Sequence, residues 1–158
     1  GNDASRDHRS DFHDFFQDFL NLYPEWGVEI GITDDMGYSV RRDTLTDVSY
    51  ETALREITIY ESYLDRLKKI NTKSLSISEK NDYDVLKWYL EIMIEKKEFL
   101  NHDYLLTHIF DVPLQTVANL IEFQEVKSKD DADAYIKKLS LIDFKVGQLK
   151  ERIKIQVE

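Results

Sequence analysis

Residues 49–91, SYETALREITIYESYLDRLKKINTKSLSISEKNDYDVLKWYLE, decide the fold. Ser49 has a hydroxyl suited to accept a backbone N–H from the first turn of a helix. Ala53, Ile57, Tyr60, Leu64 and Leu67 then recur at three- and four-residue spacing, and Leu54 and Tyr63 widen the stripe. That period predicts an amphipathic helix to about Ile70. Arg66, Lys68 and Lys69 near its end complement the helix dipole. After the turn at 71–76, Ser76-Ile77-Ser78-Glu79 has the spacing of a capping box. It launches the longest helix, from about Ser78 to Asn101, with Tyr83, Leu86, Leu90, Met93, Ile94 and Leu100 on its core face. Two such helices joined by a short turn pack as an antiparallel hairpin. The expectation is an all-α, irregular multi-helix bundle built on that long antiparallel helical hairpin.

Toward the N-terminus, residues 1–9 read as a polar tail, and 10–158 as a single helical domain. Ser10 is expected to cap a helix to about Tyr23. Phe12, Phe15, Phe16, Phe19, Leu20 and Tyr23 give that helix one wide aromatic face. Pro24 suits the first turn of a short second helix, where a missing N–H costs nothing. Gly31 is placed to end it in the left-handed conformation. Residues 32–48 are polar, show no lasting period and read as a loop.

Beyond the hairpin, HDYLLTHIFDVPL is apolar but interrupted by Pro113, so a loop or frayed end is expected there. A helix from about Leu114 to Glu125 follows, carrying Val117, Leu120, Ile121 and Phe123. Ser128 to Asp131 has a second capping-box spacing and opens a helix to about Ile142. Asp143 is expected to cap a last, separate helix with Val146, Leu149 and Ile153 on one face. Residues 153–157 alternate as a strand would, but the segment is short and isolated, so helix is preferred.

Composition sets limits on function. The chain has 158 residues, 42% of them hydrophobic and 12% aromatic, which suits one domain with a core rather than a disordered segment. Against 31 Asp and Glu there are 21 Lys and Arg, a net charge of −10 that repels phosphate backbones and anionic lipid heads. No nucleic acid partner is expected. With no cysteine there is no disulfide and no thiolate metal site. No apolar run reaches membrane-spanning length, so no membrane span is expected.

The residues that could carry chemistry are few. His8, His13, His102 and His108 include no pair at four-residue spacing, the separation that puts two imidazoles on one helical face for zinc. Surface or loop histidines are the ordinary reading. Asp130, Asp131 and Asp133 lack the glycine and the distal Glu of a calcium loop, and carboxylates in a first helical turn are ordinary dipole partners. Asp34 with Asp35, and Asp82 with Asp84, offer paired carboxylates, but nothing separates two environments for acid and base. No nucleophile elbow, Walker loop or dinucleotide fingerprint occurs. Trp26, Trp88 and the Phe12–Tyr23 face read as core packing. No catalytic, cofactor-binding or metal-ligating residue is therefore assigned.

Several blocks in order resemble the N-terminal portion of a bacterial family, domain-of-unknown-function family 885. Leu22-Tyr23-Pro24-Glu25-Trp26 followed by Gly31 is similar to the family's opening. Arg41 to Tyr50, with Leu45, Asp47 and Ser49, resembles its entry to the second long helix. Leu67 to Leu75, Ser78-Glu79 and Asp82-Tyr83-Asp84-Val85-Leu86 resemble the next block. Ala132, Ala134, Tyr135, Ile136 and Leu139 resemble a later one, with Lys138 where the family often carries Arg. The resemblance spans about Phe12 to Ile142. It implies an all-helical relative of gluzincin-type zinc peptidases, commonly exported proteins or lipoproteins of the cell envelope or periplasm. In such hydrolases an H-E-x-x-H motif and a downstream Glu hold zinc. That motif is absent from this sequence, so no catalytic residue carries over and no cofactor is expected in this chain. The resemblance implies a non-catalytic N-terminal helical region, partnered by the C-terminal region of the same protein or self-associating through an exposed apolar face. The alternative is a stand-alone helical interaction or scaffold module of the envelope.

Overall fold

The computed structural model of the chain describes residues 8–102, 105 and 112–157, and it is all-helical over them. Six α-helices follow in order: α1 His8–Leu22, α2 Pro24–Glu29, α3 Tyr50–Leu67, α4 Ile77–Glu95, α5 Val112–Phe123 and α6 Lys129–Val157. Short 3₁₀ turns lie at Asp34–Met36, Thr72–Ser74 and Lys96–Phe99.

The predicted signals start and stop most of these helices. Ser49 accepts from Thr52 N–H at 3.2 Å, and Ser76 and Glu79 close a reciprocal capping box. Ser128 accepts from Asp131 N–H at 3.1 Å, while Asp131 takes the backbone N–H groups of Lys127 and Ser128. These bonds satisfy donors that a helix start otherwise leaves orphaned. Pro24 occupies the first turn of α2, and Gly31, at φ 74°, turns the chain out of it. Ser10 differs from expectation. Because α1 already runs from His8, Ser10 lies inside the helix rather than capping it.

The most extensive helix packing is between α3 and α4, whose Tyr60, Tyr63, Leu67, Tyr83, Leu86 and Leu90 form the main buried cluster. Phe12 and Phe15 of α1 pack against the same cluster. Burying a large apolar side chain of this kind contributes about 1.5–3 kcal/mol. Near α2, Gly27 permits close approach: a Cβ there would stand 2.9 Å from Val40 Cγ2 and 3.1 Å from Leu20 Cδ2. Gly27, the residue that follows Pro24-Glu25-Trp26, thus seats α2 directly on α1 and on the loop.

Two expectations fail in the C-terminal half. The predicted break at Asp143 does not occur: α6 is one helix of 29 residues, and Asp143 sits exposed within it. Its continuity follows from Lys138, Lys145 and Leu149, which share one buried stripe on both sides of Asp143. Residues 153–157 are helical, as expected, and close α6. On α5 Thr116 and Leu120 are buried, and Gln124 just past its end continues the four-residue spacing, while Val117 is 39% and Ile121 72% exposed. Thr116 and Gln124 win the interior because each is hydrogen-bonded to a buried lysine of α6.

Candidate functional site

A groove of about 1050 Å³ runs between α1 and α4. One wall is the aromatic face of α1, where Phe12, Phe15, Phe16 and Phe19 are all half-buried. The other is α4, through Val85, Leu86, Trp88 and Tyr89. Its polar lining includes His13, Glu79 and Asp82.

The wall is held by ring packing and by a polar layer behind it. Phe15 meets Tyr63 edge-on at 5.3 Å and Tyr89 at 6.2 Å, and Phe19 meets Trp26 edge-on at 5.3 Å. Such pairs contribute about 0.5–1.5 kcal/mol beyond area burial. Behind them Tyr63 donates to Asp18 at 2.5 Å, and Arg66 reaches Asp11 and Asp14 from α3 while lying over the Tyr63 ring. Burial, then the Asp18 carboxylate beside it, pushes the Tyr63 phenol up, so it stays a donor at all ordinary pH. The loop closes the groove's end. His13 Nε2 lies 2.9 Å from Gly37 O, its ring stacks on Tyr38 at 4.6 Å, and Gln17 exchanges two hydrogen bonds with Ser39.

Two tryptophans expected in the core border this region instead. Trp26 is 38% and Trp88 62% exposed, and Val85 beside Trp88 is 65% exposed. The stripe that periodicity identified on α4, with Tyr83, Leu86 and Leu90, is buried, and Val85 and Trp88 lie off it. The Phe12–Tyr23 face is likewise only half covered.

A second constellation lies between α2, α5 and α6, and sequence reading missed it. Lys145 donates to Glu25 and to Thr116 Oγ1, and the Glu25 carboxylate also accepts from Thr46 N–H at 2.7 Å. Burial would raise the Glu25 carboxyl, but the Lys145 ammonium and the Thr46 N–H together hold it below its ordinary value. Burial pulls Lys145 down while Glu25 pulls it up. The carboxylate's direction governs, because Lys145, the Thr46 N–H and the Thr116 hydroxyl all bond it and the pair stays ionised. Lys138, 2% exposed, donates to Gln124 Oε1 at 2.7 Å, and Gln124 in turn donates to Arg42 O. Burial pushes the Lys138 ammonium down to about 8, against the pull of Glu25 and Asp43 and with the repulsion of Arg42 and Lys145. This network joins four segments and is structural in what it touches.

The remaining singled-out residues disperse. Asp34 and Asp35 sit exposed in a 3₁₀ turn, Asp82 and Asp84 lie exposed on α4, and Asp131 is engaged as a cap. His13 is taken by Tyr38 and Gly37, and His102 stands edge-on to Phe99. The His8 side chain and all of His108 lie outside the described residues. Among the described residues no three His, Cys, Asp or Glu come together as a metal would require. No described helix is long and apolar enough to cross a membrane.

The family model for a bacterial protein of unknown function, DUF885, matches residues 24–158. The chain belongs to the DUF885 family. The match starts at the Pro24 of α2 and runs through α6, so it reaches further toward the C-terminus than the resemblance did and leaves α1 outside. No curated protein and no solved structure matches the chain. Residues of the blocks that carry the DUF885 likeness take structural contacts: Glu25 in the buried pair, Asp47 on Ser49 N–H, Glu79 in the capping box and Tyr83 in the core.

Proposed function

We propose that this DUF885 region is the non-catalytic helical part of a zinc-dependent, peptidase-like hydrolase, forming one wall of its substrate channel. The observation that carries the reading is the outward apolar stripe of α4, Val85, Trp88 and Ile92, lying along an aromatic groove. Contiguous apolar surface of this kind marks a face that packs on other protein or receives an apolar ligand. Leu114, Val117 and Ile121 give α5 a comparable outward stripe. In this reading the metal and the water-activating Glu are supplied by residues other than these, and the whole assembly belongs to the cell envelope. The same faces also suit a helical scaffold module, the second reading.

The test mixes this chain with the H-E-x-x-H-bearing region of a DUF885 protein and measures association by analytical ultracentrifugation. Hydrophobic-dye fluorescence is followed in parallel. The proposal expects a complex that is lost on Val85→Glu with Trp88→Glu, together with dye binding by the isolated chain. A dye-silent chain that ignores the zinc-bearing region refutes it, and association only with other envelope proteins favours the scaffold.

A further inference from the structure

A different cavity holds two opposite charges that do not meet. Glu56 of α3 directs its carboxylate to the joint of α1 and α2, where Tyr23 and Tyr60 both donate to Oε1 at 2.5 Å. Its other oxygen, Oε2, has no donor among the described residues. Beside it lie cavities of about 200 Å³ and about 110 Å³, and Tyr23, Glu56 and Arg152 line both. The larger has several times the ~30 Å³ that one water occupies in the liquid. Ile57 and Met93 make its floor apolar, and Lys96 adds a second cation to its lining.

Arg152, from the last turns of α6, spends one N–H on Leu100 O at 3.1 Å. It forms no ion pair with Glu56 or with any other described residue. A half-buried carboxylate oxygen and a half-buried guanidinium therefore face the same small space, each with capacity unused. Leaving such groups without partners is costly, and a ligand that bridges them recovers the loss. The tyrosines cannot serve as the missing charge. Burial first, and the Glu56 carboxylate next, push both phenols well up, which keeps them neutral donors and fixes which oxygen remains open.

From this geometry we infer that the cavity between α3, the end of α4 and the end of α6 binds a small zwitterion, a free α-amino acid with an aliphatic side chain. Its ammonium lies against Glu56 Oε2, its carboxylate against Arg152 with Lys96 nearby, and its side chain on Ile57 and Met93. The site is separate from the α1–α4 groove, and the inference stands whether or not the channel-wall reading holds.

The test is heteronuclear NMR titration of the 158-residue chain with L-leucine, leucinamide, N-acetyl-leucine and isocaproic acid. L-leucine is expected to shift resonances around Glu56, Met93 and Arg152. Each analogue that loses one charge should bind on the order of tenfold more weakly, the value of one charge-assisted hydrogen bond. Glu56→Gln and Arg152→Met should each weaken L-leucine to a similar degree, with circular dichroism verifying that they fold. Absence of shifts at millimolar L-leucine overturns the inference, as does equal binding of the analogues. The ligand series on the wild-type chain decides the matter even if both variants unfold.

Discussion

Replacing Lys138 by Met tests whether a lysine ammonium really sits in the interior of the α2–α5–α6 junction. The side chain is 2% exposed, donates to Gln124 Oε1, and is surrounded by Glu25, Arg42, Asp43 and Lys145. Lowering it from 10.5 to about 8 makes the charged form about 3 kcal/mol less favourable in the folded protein than in the unfolded chain. Because the unfolded chain holds the proton more tightly, this penalty is full below about pH 8 and is relieved as the pH rises toward the unfolded value. Between about pH 7 and about pH 9.5 the stability of the wild type should therefore gain about 2 kcal/mol relative to Lys138→Met. The difference at a single pH is not decisive, since the variant also strands Gln124 Oε1, which costs about 1–3 kcal/mol. Lys145, also depressed, contributes to both proteins and cancels in the comparison. Urea unfolding followed by far-UV circular dichroism across this range supplies the two curves. Parallel curves would refute a buried, charged Lys138.

Glu25→Gln leaves Lys145 buried without its counter-charge and should cost about 3–5 kcal/mol, while the double change with Lys145→Met recovers much of it. With Glu25 held below its ordinary value of 4.5, the wild type's advantage is present above that pH and lost as the pH falls through the depressed folded value; acid titration of thermal unfolding checks both. Gly27→Ala puts a methyl 2.9 Å from Val40 and should destabilise by about 1–3 kcal/mol, read as a lower urea midpoint. Ser76→Ala opens the capping box of α4 and should cost about 1 kcal/mol, with the far-UV signal at saturation unchanged.

Local chemistry made much of this architecture legible. Ser49, Ser76 and Ser128 mark helix starts because a hydroxyl must meet N–H groups that no earlier carbonyl can reach. Pro24 and Gly31 bracket α2 for reasons of backbone geometry alone. The buried half of the α3–α4 stripe, with Ile57, Tyr60, Leu67, Leu86 and Leu90, follows from a period set by the helix itself. The groove was legible only as an aromatic face on α1, since how far that face is covered depends on where α4 lands.

The sequence by itself determined an all-helical DUF885 chain, its capping signals and its apolar stripes, because those depend on residues within one turn of each other. Only the tertiary structure decided that Trp88 faces outward, that Asp143 interrupts nothing, and that Lys138 and Lys145 are interior. A lysine is buried when a partner some 14 to 120 residues away in the chain supplies the acceptor, as Gln124 and Glu25 do here. No window along the sequence contains that information, and the same holds for Glu56 and Arg152, brought to one cavity from α3 and α6.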